Sequence, residues 1–177
     1  MAIGGRKACQ VRVAIITVSD RSFRGEREDA TGPALREALQ AAGAEVVGLE
    51  IIADEREQIS EALRRWCDGG GVDLIVTNGG TGLGPRDVTP EATEEVLERR
   101  VPGLTEAMRI GSLKYTVQAM LSRAVAGTRK RTLIINLPGS PRGATECLEI
   151  VLPALAHAVE LLRGEVSECA DQVRAIK

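Results

Sequence analysis

From Val11 onward, short runs of β-branched and aliphatic residues alternate with stretches of helical period, and this alternation constrains the fold more than any other feature of the chain. Such a chain buries its strands and its helices together by laying the strands parallel in one sheet and covering both faces with helices. The expectation is therefore an α/β fold with three layers and a mostly parallel sheet. Strands are predicted at 11–19, 45–52 and 72–77, with helices at 33–42, ended by Gly43, and at 55–68, ended by Gly69, Gly70 and Gly71. Further on, helices are predicted near 90–98 and 104–113, extended segments near 123–127 and 131–136, and a long helix from Pro141. Pro153 removes a backbone donor and crowds the preceding turn, so a kink or break is expected there. At 177 residues the chain is expected to form one domain over 1–177, with its core at about 11–164 and a polar, loosely held tail after Gly164.

The connection after the third strand reads Thr77-Asn78-Gly79-Gly80-Thr81-Gly82-Leu83-Gly84-Pro85-Arg86-Asp87-Val88-Thr89-Pro90. Thr89-Pro90-Glu91 has the form of an N-cap followed by proline at the first helical position, so this loop joins the carboxyl end of a buried strand to a helix start. It is longer than most βα connections, and a simple turn needs no such length. Ligands of open α/β sheets bind at this edge, where backbone N–H groups and helix N-termini converge. Gly79, Gly80 and Gly82 let the backbone approach an anion, Thr81 adds a hydroxyl, Arg86 adds fixed positive charge, and Asp87 can hold a divalent metal bridging phosphate oxygens. Phosphorylated ligands fit this set best. No lysine stands in the Walker A position, and a dinucleotide pattern started at Gly80 meets Pro85 where its third glycine belongs, so both familiar phosphate loops are excluded.

Asn136-Leu137-Pro138-Gly139-Ser140-Pro141 repeats the same logic after an apolar run, with Ser140 as N-cap and Pro141 as first helical residue. A cap alone explains these residues. The shared edge of a parallel sheet also lets this turn and the glycine loop flank one crevice, with Gly139, Ser140 and Pro141 as binding candidates. Asp54 ends the second strand on that edge and stands at capping-box spacing from Glu57; capping and metal or substrate contact are compatible roles for it. Ser19 and Asp20 after the first strand, and Asp29 before the first predicted helix, have the same two readings. Lys114, Ser122 and Arg123 follow an amphipathic helix and suit either a second part of a ligand site or a solvated surface.

Several function classes are disfavoured. Phe23, Trp66 and Tyr115 are the only aromatics and the net charge is −2, so neither base-stacking platforms nor general attraction to nucleic acid is provided. Cys9, Cys67, Cys147 and Cys169 are scattered without metal-ligand spacing, and they read as free thiols of a reducing cytoplasm. The opening ten residues lack the apolar run of a signal peptide and no apolar stretch approaches the roughly 20 residues of a membrane span, so a cytoplasmic protein without membrane attachment is expected. His157, the one histidine, sits among Leu155, Val159, Leu161 and Leu162 in a predicted helix, where a packed imidazole is the simpler reading.

Taken in order, Ser19-Asp20-Arg21, Asp29-Ala30-Thr31-Gly32-Pro33, Asp54-Glu55, the 77–91 loop with Pro85-Arg86-Asp87, Leu121-Ser122-Arg123 and Asn136-Leu137-Pro138-Gly139-Ser140-Pro141 resemble the molybdenum cofactor biosynthesis family. That family includes molybdopterin adenylyltransferase and the G domains of plant and animal proteins such as gephyrin. The resemblance runs from about Val11 to Gly164 and implies the family's molybdopterin-binding type of α/β/α fold. It also implies transfer of AMP from ATP to the molybdopterin phosphate, with release of pyrophosphate and a magnesium ion held by Asp87 and Asp54. On that reading Gly80, Thr81 and Gly82 cradle the molybdopterin phosphate, and Gly139, Ser140 and Pro141 line the nucleotide side. Family members that lack the activity tend to depart from the Pro-Arg-Asp segment, which this chain keeps, although Thr31 stands where serine is common and Ala53 where proline is common. The competing implication is a non-catalytic molybdopterin binder or assembly scaffold. The resemblance further implies a homotrimer or hexamer and a molybdate-inserting protein as a candidate partner.

Overall fold

A computed structural model describes residues 10–165. Its sheet has strands β1 (Arg12–Val18), β2 (Glu45–Ile52), β3 (Leu74–Asn78), β4 (Arg99–Arg100), β5 (Ala126–Arg129) and β6 (Thr132–Leu137), in the order β2-β1-β3-β6-β5-β4. β2, β1, β3 and β6 run parallel, with Val13 beside Leu74 and Leu74 beside Leu133, while β5 and β4 extend one edge antiparallel. The helices are α1 (Asp20–Phe23), α2 (Thr31–Ala41), α3 (Arg56–Asp68), α4 (Thr89–Glu94), α5 (Pro102–Ser112) and α6 (Pro141–Arg163), with a 3-10 segment at Val117–Leu121.

Both faces of the sheet are covered, which is why its central strands read as unbroken apolar runs rather than as alternating ones. Val13, Ile15, Leu74, Val76, Leu133 and Ile135 point to one side, where Leu35 and Leu39 of α2, Met108 of α5 and Leu148, Val151 and Leu155 of α6 complete a core. Ala14, Ile16, Ile75 and Ile134 point the other way, against Ile59, Leu63 and Cys67 of α3 and Ala92 of α4. Each fully buried Ile or Leu contributes about 1.5–3 kcal/mol relative to exposure. The resulting helix–sheet–helix arrangement is the expected α/β/α architecture; β1, β2, β3 and β6 end within two residues of their predicted places, β5 begins three residues later than expected, and β4 is not among the predicted strands.

Three local expectations are corrected. α6 runs unbroken through Pro153, which lies on the helix's exposed face, and the buried stripe on either side holds the helix together. Asp54 does not cap α3, whose N-cap is Glu55 without a side-chain hydrogen bond. Thr89 is likewise not the N-cap of α4 but lies within the helix, after Val88. By contrast Ser140 caps α6 as expected, accepting the Gly143 N–H at 3.2 Å with Pro141 in the first turn. Cys67 and Cys147 are buried free thiols, and burial pushes the Cys67 thiol up to about 11; Cys9, Cys169 and most of the tail lie outside the described residues. Among the described residues no helix is long and apolar enough to cross a membrane.

Candidate active site

The chain enters the sheet at β1, moves outward to β2, then returns across β1 to β3, so the strand order reverses between β1 and β3. At such a switch point the connections leave on opposite faces and open a crevice at the carboxyl ends of the strands. A cleft of about 490 Å³ occupies this position, lined by Ser19 after β1, Asp54 after β2, Gly79, Gly80 and Asp87 after β3, and Gly139, Ser140 and Pro141 after β6. The four strand ends singled out from the sequence thus meet at one place.

The glycines at the end of β3 meet steric requirements that other residues fail. Gly79 has φ +101°, and a Cβ there would lie 2.2 Å from the Val18 carbonyl oxygen. Gly80 has φ +60°, and its Cβ would stand 2.4 Å from Thr89 Oγ1 and 3.1 Å from an Asp54 carboxylate oxygen. Both conformations are costly for residues with a Cβ. The open backbone therefore passes directly beside the Asp54 carboxylate.

Around it the charges are coupled. The Asp20 N–H donates to Asp54 Oδ2 at 2.7 Å and the Asp54 N–H returns a bond to Asp20 Oδ1 at 3.1 Å, joining the ends of β1 and β2. Arg86 donates to both Asp20 oxygens, at 3.1 and 3.2 Å, and to Glu55 Oε1 at 2.7 Å. The hydrogen bond from Arg86 holds the Asp20 carboxyl below its usual range. Asp54 is shifted the other way: burial raises its pKa most, and the charges of Asp20 and Asp87 add to the rise against the bond from the Asp20 N–H. A half-buried carboxylate crowded by two others is a place where a cation is favoured. Asp87 faces this region with its Oδ2 accepting the Gly84 N–H at 2.7 Å.

Not every candidate reaches the crevice. Asp29 accepts the Thr31 and Gly32 N–H groups at 2.9 and 3.0 Å on one oxygen and the Thr17 hydroxyl at 2.7 Å on the other, so its carboxylate joins α2 to β1. Thr81 and Gly82 line a second cleft of about 390 Å³, largely apolar, with Met108, Leu121, Pro138 and Cys147. Ser140 borders both clefts. Ser122 lines the second cleft and Arg123 bonds to the glycine loop, whereas Lys114 lies over the Tyr115 ring, 4.6 Å from its centre. His157 borders neither cleft and lies 3.8 Å from the Glu160 carboxylate. Sequence reasoning missed Arg27 and Glu28 on the crevice wall; the one signal for them is their place in the connection that follows β1 at the ligand edge.

A glycine-lined backbone edge beside the Asp54 and Asp87 carboxylates, at the switch point of a mostly parallel sheet, defines an α/β protein of the class that binds ligands at the carboxyl edge of its strands. Comparison with known proteins narrows this class. The family model described as a probable molybdopterin binding domain matches residues 14–157, and the chain belongs to that family. It is 46% identical over 156 residues to a molybdopterin adenylyltransferase of Helicobacter pylori, covering 87% of this chain and 89% of that one. It is 38% identical over 179 residues to the molybdopterin adenylyltransferase of Escherichia coli, covering 93% and 92%. The crystal structure of the molybdopterin biosynthesis enzyme MoaB from Thermus thermophilus superposes with a TM-score of 0.83 at 58% identity, covering 88% of this chain and 98% of that one.

Proposed function

We propose that this chain is a molybdopterin adenylyltransferase of molybdenum cofactor biosynthesis, acting as a single domain. The observation that supports the reading is the crevice itself, where Asp54 and Asp87 stand beside the close-packed Gly79 and Gly80 backbone and the Gly139-Ser140-Pro141 turn. In the reaction an oxygen of the molybdopterin phosphate forms a bond to the α-phosphorus of ATP, the bond from that phosphorus to the α–β bridging oxygen breaks, and pyrophosphate leaves. A phosphate monoester has a second pKa near ~6, so the nucleophile is largely ionised at neutral pH and needs no histidine base. What the reaction does need is alignment of two polyanions and compensation of the charge that develops.

The residues fit that need. Gly79 and Gly80 expose backbone on the crevice wall, where the molybdopterin phosphate would lie, and the apolar second cleft, lined by Thr81, Gly82 and Ser140, suits the pterin while the larger crevice suits the nucleotide. Asp54 and Asp87 would hold magnesium, which supplies positive charge to the phosphate oxygens when bound. Among the described residues no group of three or more His, Cys, Asp or Glu side chains is placed to hold a metal ion by itself, so the remaining ligands would come from substrate and water, as is usual for magnesium in phosphate chemistry. The proposed compartment is the cytoplasm. The proposed assembly is a homotrimer or hexamer; the exposed Ile110, Val117 and Met120 along α5 and the 3-10 segment support association, since water-exposed apolar side chains grouped this way mark contact surfaces.

The relatives' names and the retained Pro85-Arg86-Asp87 favour the enzyme over a non-catalytic binder. Incubation of the protein with molybdopterin, ATP and magnesium, followed by mass spectrometry, is expected to show an AMP adduct of molybdopterin. Tight pterin binding without any adduct would overturn the enzymatic reading.

A further inference from the structure

The glycine loop carries Asp87, yet few contacts of the loop with itself fix that residue: the Asp87 N–H donates to the Gly84 carbonyl at 3.0 Å, the Gly84 N–H donates to Asp87 Oδ2 at 2.7 Å, and residues 83–86 are exposed. Arg86 ties the exposed tip to Asp20 and Glu55, and the backbone around Asp87 is held further by Arg123, beyond the 3-10 segment. The Arg123 backbone N–H donates to the Thr81 carbonyl at 3.0 Å. Its guanidinium donates from Nε to the Gly82 carbonyl at 2.6 Å, from Nη2 to the Asp87 carbonyl at 2.5 Å, and from Nη1 to the Glu91 carboxylate. One side chain therefore holds the start of the loop, the residue that bears the carboxylate, and the helix that follows.

The base on which Arg123 stands is itself fixed. Arg109 of α5 donates to the Ser122 and Ala124 carbonyls at 3.4 and 3.3 Å and to Thr105 Oγ1 at 3.2 Å. Asn136 of β6 exchanges bonds with Val125, accepting its N–H on Oδ1 at 3.2 Å and donating its own backbone N–H to the Val125 carbonyl at 3.0 Å. Neither contact reaches the crevice, and Arg123 is absent from its wall. Resting on the adenylyltransferase reading, we infer that Arg123 is a positioning residue: it sets the Asp87 carboxylate against Asp54 by clamping the loop backbone at Gly82 and Asp87. A guanidinium does this because its donors diverge in a rigid plane toward separate acceptors; an ammonium has the charge without that geometry.

Arg123→Lys is the informative variant. Pyrophosphate release is expected to slow by about tenfold to a hundredfold, the scale of a misplaced catalytic group, with the KM for ATP little changed. In an Asp87→Asn background the same substitution is expected to add less than about twofold, because its effect passes through Asp87. An equal factor in both backgrounds would assign Arg123 to stability alone and overturn the inference. Hydrogen exchange followed by mass spectrometry supplies a readout independent of turnover: exchange across 81–89 is expected to quicken in Arg123→Lys while β1 and β3 keep their protection. Unchanged exchange there would refute the clamp whatever the activity. An unaltered chain that releases no pyrophosphate counts against the proposed function, whereas an active one that Arg123→Lys leaves at full rate counts against the clamp.

Discussion

The connections after β3 and after β6 end at the same crevice, but they are held in opposite ways. The turn after β6 is held mainly by its own residues: Ser140 caps the helix it begins, Pro141 supplies the first-turn geometry, and one distant group, the Thr31 hydroxyl, donates to the Gly139 carbonyl at 2.9 Å. The loop after β3 is held largely from elsewhere, by Arg123 across its base and by Arg86 reaching back to Asp20 and Glu55. A local cap needs only its own few residues, whereas a long loop without its own hydrogen-bond ladder takes its shape from distant partners. On the proposed function the loop carries the charges that act on phosphate, while the turn secures the start of α6.

The largest effect on the charges that the loop faces is expected from Asp54→Asn, after β2 and beside Gly80. Turnover is expected to fall by roughly 10²–10³-fold, the scale of losing one electrostatic contact to a transition state. Stability is expected to move the other way. The folded-state pKa of Asp54 is raised, so as pH climbs past the usual carboxylate value of 3.8 the folded state retains a proton that the unfolded chain has lost. Ionising Asp54 above that point costs stability, and the neutral amide removes the cost. Ligand-free Asp54→Asn should melt higher than the unaltered chain at pH 7, with the gain shrinking as pH falls toward 3.8; a lower melting temperature at pH 7 would contradict a cost of ionising Asp54.

A smaller effect separates the loop's backbone from its charges. Gly80→Ala introduces a Cβ 2.4 Å from Thr89 Oγ1 at φ +60°, and is expected to cost about 1–3 kcal/mol in chemical denaturation with activity also reduced. Smaller again is Ser140→Ala on the self-capped turn, which should cost about 1 kcal/mol through the lost bond to the Gly143 N–H. If Ser140→Ala left stability untouched, the turn would not be the local anchor described here.

The same division explains what the sequence made legible. β1, β3 and β6 were readable because burial on both faces leaves uninterrupted Val, Ile and Leu runs, and parallel strands necessarily send their carboxyl ends to one edge. That sufficed to bring Ser19, Asp54, Gly79, Gly80, Asp87, Gly139 and Ser140 together. Short elements with little apolar pattern were not readable: α1, the two-residue β4 and the 3-10 segment depend on partners far along the chain. Pro153 misled because propensity is local, while the buried stripe of α6 that overrides it is tertiary. Asp54 presented the spacing of a capping box, but its oxygen is engaged by the Asp20 backbone across two strands, a contact that spacing along one chain cannot encode. The second cleft was hidden for the same reason, since its walls come from α5, the 3-10 segment, β6 and α6.

On the proposed function Asp87, on the wall of a glycine-lined crevice, serves adenylyl transfer to molybdopterin. Pyrophosphate release from ATP and magnesium, measured with and without molybdopterin in the unaltered chain and in Asp87→Asn, tests it most directly. Molybdopterin-dependent release that falls by about 10²-fold or more in the variant, with the melting temperature nearly unchanged, is the predicted result. Equal release by both proteins would contradict the role given to Asp87, and no release by the unaltered chain would contradict the activity itself.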